Sequence, residues 1–258
     1  MGAYYSDEAV TIYHGDCREI LPSLPKVDLV LTDPPYGMTA CAWDSIIPFE
    51  PMWAELNRIV KPKGAMVFFA SQPFSSAIVM SNPTMFRHEW IWKKNAGSNF
   101  MNLNNAPMKE HESILVFGSE SVLFNPQRET RKGGGLERSR YSYAPSNTGK
   151  REGTGGMEMI HANHNGTNPE RFPSSVQMFN RERGFHPNQK PFDLLCYLVR
   201  TYSDVGDVVL DFTCGSGTTL LAAKELRRKA IGIEIEEKYC EIAAKRMSQE
   251  VLKFEATA

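Results

Sequence analysis

Asp33-Pro34-Pro35-Tyr36 follows the apolar run Leu29-Val30-Leu31-Thr32. A carboxylate, two rigid prolines and an aromatic ring are thus presented at the end of what reads as a buried parallel strand, Val27 to Leu31. The prolines forbid both strand pairing and helix continuation. A carboxylate and a fixed carbonyl at that spacing can accept hydrogen bonds from one polar group. In open α/β sheets ligands bind beyond such strand ends.

A second constellation lies near the other end: Val208-Val209-Leu210-Asp211-Phe212-Thr213-Cys214-Gly215-Ser216-Gly217-Thr218-Thr219 reads as strand, glycine turn and helix start. The third glycine of the dinucleotide fingerprint is absent, and no Gly-Lys-Ser/Thr phosphate loop follows. The next strand, Ile231-Gly232-Ile233-Glu234, ends in an acid suited to a ribose diol. Asp211 and Glu234 together suit a ligand with a cationic amine and a ribose but no phosphates. S-adenosylmethionine is such a ligand.

The elements that must position these groups follow from periodicity. A strand is expected over Thr11 to His14 and a helix over Phe49 to Val60, closed by Lys61-Pro62-Lys63-Gly64. Further strands are expected at Ala65 to Ala70, His88 to Lys93, Ser113 to Phe117, Val208 to Asp211 and Ala230 to Ile235. Helices are expected from Pro191 to Tyr202, Thr218 to Arg227 and Tyr239 to Lys253. From Ser119 to about His186 apolar periodicity disappears. That span holds ten Lys or Arg against seven Glu, and its glycine clusters predict a partly mobile insert. The expected organisation is residues 1–118 and 187–258 as one catalytic domain around an insert of residues 119–186.

These blocks, in this order, resemble the β class of DNA amino-methyltransferases, in which the Asp-Pro-Pro-Tyr block precedes the target-recognition region and the cofactor turn. His186-Pro187-Asn188-Gln189-Lys190-Pro191 is similar to the family's His-Pro-Thr-Gln-Lys-Pro, with Asn188 in place of threonine. The resemblance implies an α/β, Rossmann-like methyltransferase fold: a circularly permuted, mostly parallel, doubly wound sheet of seven strands. It also implies that Asp33, Pro34, Pro35 and Tyr36 are catalytic, with Tyr36 stacking on a flipped base that Trp43 and Phe74 could support. Asp211 and Phe212 would meet the methionine end of S-adenosylmethionine. Thr213, Cys214, Gly215, Ser216, Gly217 and Thr218 would form its turn, and Glu234 would hold its ribose. Asp16 and Cys17 would touch the adenine, while Asn188, Gln189 and Lys190 would approach the methionine carboxylate.

An adenine-N6 enzyme is expected from Asp33, since cytosine-N4 relatives more often carry Ser there. Cytosine-N4 transfer is the alternative. RNA or protein-glutamine transfer fits less well, because those relatives place Asn-Pro-Pro-Tyr after the cofactor turn. A non-catalytic DNA-binding subunit would be signalled by erosion of Asp33 or Asp211, and both are present. Double-stranded DNA is the expected partner, and a homodimer and a restriction endonuclease partner are compatible with the class.

Bulk properties bound the rest. With 258 residues, 41% hydrophobic, the chain can bury a large α/β core. A net charge of −1 excludes a global polycation, so DNA binding must come from a local patch. Five scattered cysteines without a C-x-x-C pair point to a reduced, cytoplasmic chain with no metal site. His161 and His164 lack further ligands nearby in sequence. No apolar run is long enough to span a membrane.

Overall fold

The computed structural model describes residues 2–38, 44–98, 104–130, 170–182, 184 and 188–249. The chain begins with β1 (Tyr5–Ser6), β2 (Val10–His14), the one-turn helix α1 (Cys17–Ile20), β3 (Val27–Thr32), α2 (Phe49–Ile59), β4 (Val60–Ala70), α3 (Phe74–Ser81), β5 (Phe86–Ser98) and β6 (Lys109–Phe117). It continues with β7 (Glu129–Thr130), β8 (Glu170–Arg171), β9 (Val176–Met178), α4 (Phe192–Tyr202), β10 (Val208–Asp211), α5 (Thr218–Glu225), β11 (Lys229–Glu234) and α6 (Glu237–Ser248).

The central sheet has the order β1-β2-β11-β10-β3-β4-β6-β5-β9. From β2 through β4 every pairing is parallel, whereas β6 is antiparallel to both β4 and β5. The expected seven strands are the run β2 to β5 in this order. Two short edges, β1 beside β2 and β9 beside β5, bring the total to nine. Edges of two and three residues carry no readable periodicity, so only their long-range pairing defines them.

β10, late in the chain, lies beside β3, which comes early. From this pair the chain winds one way to β11 and the other way to β4. That reversal opens the crevice in which an α/β sheet binds ligands. It also brings the two sequence constellations together, as circular permutation requires.

Alternation along the strands feeds two cores. Val67 and Phe69 of β4 face one way, with α4, α5 and α6 covering them; Met66 and Phe68 face the other, under α2 and α3. Phe68, Phe117 and Trp53 interlock there edge-on and tilted, with centroids 5.0 to 5.7 Å apart.

The chain divides into two compact units, residues 1–125 with 174–258, and residues 126–173. The smaller unit covers less of the chain than the polar span 119–186. Leu123 N donates to Lys63 O (2.9 Å) and Asn125 N to Thr201 O (2.8 Å), which ties residues 119–125 to the larger unit. β9 pairs with β5, and Arg181 N donates to Asn95 Oδ1 (3.0 Å), tying down the other flank. These bonds join distant segments, mostly through backbone groups, and are invisible in a polar stretch read locally. In the smaller unit, β7 pairs with β8, and the Arg128 guanidinium lies over the Phe172 ring at 4.6 Å. Residues 131–169, which include much of the expected target-recognition insert and both His161 and His164, lie outside the described residues, as do Trp43 and His186. Among the described residues no helix is long and apolar enough to cross a membrane.

Candidate active site

A cavity of about 570 Å³ opens beyond the carboxyl ends of β3, β10 and β11, within the size range of small-ligand sites. Asp33, Pro34, Pro35 and Tyr36 line one part of it, and Asp211 to Ser216, Thr218 and Glu234 another. Asp16, Cys17, Asn188, Gln189 and Lys190 also border it. Gly217 does not.

The two acids of the catalytic and cofactor blocks are tied through threonines. Thr32 Oγ1 donates to Asp211 Oδ1 (2.9 Å), and Thr213 Oγ1 donates to the carbonyl of Asp33 (3.2 Å). Asp211 is almost fully buried and also accepts from Thr213 N (3.2 Å). Burial raises its carboxyl to about 6, partly offset by these donors. None of the ion pairs among the described residues brings a cation to it, so a cationic ligand would relieve its desolvation.

Glu234 is held at both oxygens. Oε2 accepts from Gly215 N and Oε1 from Glu236 N, each at 2.8 Å. A carboxylate retains further lone pairs after two such bonds, so the side chain is oriented without being used up. Burial raises its pKa against those amide bonds.

The glycine turn is shaped partly by packing. Gly217 precedes α5 with φ +77°, and a Cβ there would come 2.9 Å from the Cβ of Ala243 on α6. Its lack of a side chain serves helix packing and a left-handed backbone. Arg246 of α6 secures the same turn, donating to Ser216 O (2.6 Å) and Thr218 Oγ1 (3.0 Å). Nothing in the local sequence around Arg246 marks it for this task.

The remaining expected side chains also have partners within the protein. Cys17 is buried in the α2-side core, where burial pushes its thiol to about 12; it shapes the cavity wall as an apolar group. The Asp16 carboxylate caps α1 through Arg18 N (2.9 Å) and binds the Arg18 guanidinium. Phe212 is buried and packs edge-on to Phe68 at 6.3 Å. Tyr36 donates its hydroxyl to Asp33 Oδ1, and its ring stacks on Phe74 at 5.0 Å. Phe74 itself is core.

Lys190 has two acidic partners. Its buried ammonium pairs with Asp33 Oδ2 and lies 3.5 Å from Glu112. Glu112 in turn pairs with Lys94, and both line the cavity together with Lys109. In the sequence these charges flank the apolar strand segments and read as solvated strand ends; only the pairing of β5 with β6 turns them inward. Asp44 is a further addition. Its carboxylate accepts from Gly37 N and Met38 N (both 2.9 Å) and so fixes the backbone just beyond Tyr36.

The family model for DNA methylases matches residues 27–245, spanning both constellations and everything between them. The chain belongs to the N6/N4 DNA methylase family. Among curated relatives, this methylase is 27% identical to the type II methyltransferase M.HpaI of Haemophilus parainfluenzae, over 90% of the chain and 71% of that protein. It is also 27% identical to the DNA adenine methyltransferase YhdJ of Escherichia coli, over 94% of the chain and 84% of that protein. The solved complex of M1.HpyAVI with S-adenosylmethionine matches 92% of this methylase and 99% of that chain, at 26% identity and a TM-score of 0.61. The cytosine-N4-specific PvuII DNA methyltransferase, at 16% identity and a TM-score of 0.66 over 97% of the chain and 90% of its own, shares the fold.

Proposed function

We propose that this methylase transfers a methyl group to the exocyclic N6 of an adenine flipped out of double-stranded DNA. The observation that carries the reading is that Asp33 and Asp211, from adjacent parallel strands, open into one cavity. S-adenosylmethionine is the methyl donor. The residues suit it: Asp211 for its amine, Glu234 for its ribose, and a glycine turn without the features of a phosphate site. When bound, it supplies a methyl carbon on cationic sulphur, whose bond to sulphur breaks as the amine nitrogen forms the new carbon–nitrogen bond.

An exocyclic amine is a poor nucleophile because its lone pair is shared with the ring. The Asp33 carboxylate and the Pro34 carbonyl accept its two N–H groups and draw the nitrogen toward tetrahedral geometry. Pro35 offers no competing N–H, and the proline pair holds the acceptors still. Asp33 orients the amine and stabilises the charge that develops on it, and the surplus amine proton leaves to water. Tyr36, backed by Phe74, offers its ring to the base. Base flipping is needed because the amine is inaccessible inside a duplex. The residues between 126 and 183, arginine-rich and asparagine-rich, read the DNA.

Adenine is favoured by Asp33 at the head of the block and by the likeness to an adenine methyltransferase over 94% of the chain. The test is nucleoside mass spectrometry of duplex DNA after incubation with the protein and S-adenosylmethionine. N6-methyldeoxyadenosine is expected. N4-methyldeoxycytidine would overturn the choice of base, and unmethylated DNA the choice of substrate.

A further inference from the structure

One oxygen beside the amine site lacks a hydrogen bond. Glu112 of β6 gives Oε1 to the ammonium of Lys94, while its Oε2 is shielded from water and makes no hydrogen bond among the described residues. Native structures seldom leave a buried carboxylate oxygen unmatched. That oxygen lies 3.5 Å from Lys190 Nζ, which is bonded on its other side to Asp33 Oδ2. Asp33 Oδ1 meanwhile accepts the Tyr36 hydroxyl. Both oxygens of the amine acceptor are therefore engaged by the protein's own donors, and Glu112 Oε2 stands 3.5 Å beyond one of them, ion-paired with Lys190 but without a hydrogen bond among the described residues.

We propose that Glu112 is a positioning residue for methyl transfer, the acceptor to which Lys190 turns when the base amine takes up Asp33 Oδ2. This rests on the reading of Asp33 as the amine acceptor. An ammonium carries three donors on a rotatable stem, so the exchange needs no backbone movement. Aromatic walls confine the path: Lys190 Nζ lies 5.1 Å from the Phe69 ring centroid, and Lys94 Nζ lies 5.0 Å from that of Trp92. Lys94 anchors the far oxygen of Glu112 throughout. Lys190 stays paired with a carboxylate before and after the turn, so the turn itself changes no charge in the buried site. Burial alone would raise the Glu112 carboxyl, but Lys190 and Lys94 bring it below its usual value. Burial likewise opposes the charge on Lys190, and Asp33 with Glu112 more than restores it.

A double-variant cycle on methyl transfer to DNA tests this, with cofactor affinity followed by calorimetry. Glu112→Gln keeps the shape and removes the charge. It should lower kcat about 10- to 100-fold while the S-adenosylmethionine Kd stays within about twofold, the split expected when an interaction matters only as the reaction proceeds. Because Glu112 acts through Lys190, adding Glu112→Gln to Lys190→Met should cost no more than about a further twofold. Wild-type kcat in Glu112→Gln, or losses that multiply in the double variant, would overturn the inference. Should Glu112→Gln fail to fold, Glu112→Asp keeps the charge while drawing the acceptor back by one methylene. It should also lower kcat, and an unchanged kcat there would overturn the inference equally. Failure of the unaltered protein to methylate DNA would instead sink the reading of Asp33 itself.

Discussion

Asp211 sits where its charge is hardest to hold, and that gives cofactor binding a pH dependence. Its carboxyl is raised to about 6 by burial. A cationic ligand amine needs the ionised form, so the affinity for S-adenosylmethionine should be level above about pH 6 and fall toward tenfold per pH unit below it. Calorimetry between pH 5 and 8 would show the bend, and Asp211→Asn should bind weakly with no bend near 6. A flat profile in the unaltered protein would contradict the assignment. The same shift has an opposite sign for folding. The folded chain binds this proton more tightly than the unfolded chain does, so Asp211's contribution to stability declines as pH rises from about 4 to about 6. Asp33 and Asp211 were legible in the sequence because each closes an apolar run, with a proline pair directly after the first and a glycine turn a few residues after the second. Glu112, Lys94 and Arg246 were not, because their roles come from a partner strand or helix far away in the chain.

At the scale of elements, the turn between β10 and α5 is set as much by α6 behind it as by any ligand before it. Gly217→Ala would place a methyl 2.9 Å from Ala243 Cβ on a backbone with φ +77°. Both effects act against the fold, and the expected cost is about 2 to 3 kcal/mol, seen as a lowered Tm in thermal melts. Gly206→Ala is the natural comparison, since φ there is +91° but no atom lies within 4 Å of the added methyl. It should cost only about 1 kcal/mol, the conformational part alone. Equal losses in the two variants would argue against packing on α6. Most of these elements could be read from sequence: β3, β10, β11 and α4 are compact apolar patterns with clear terminators. β5 and β6 run longer than their apolar segments, because their polar ends still pair with each other. β1, α1, α3, β7, β8 and β9 were missed; the two- and three-residue strands exist through their partners, and α1 and α3 are too short to show a stripe.

For the molecule as a whole, the permuted order keeps the two chemical tasks on separate stretches of chain. The amine block belongs to the first half, the cofactor turn to the last quarter, and the sheet joins them only by pairing β3 with β10. Binding the donor and activating the acceptor should therefore be separable by a single substitution. Asp33→Ala removes the acceptor without touching Asp211, Glu234 or the glycine turn, although Lys190 loses a partner. The measurement is transfer of a labelled methyl group from S-adenosylmethionine to duplex DNA, with cofactor affinity determined on the same samples. The unaltered protein should label DNA, whereas Asp33→Ala should bind the cofactor within a few-fold of normal and transfer at least about a thousandfold more slowly. Transfer by Asp33→Ala at a rate near that of the unaltered protein would contradict the account.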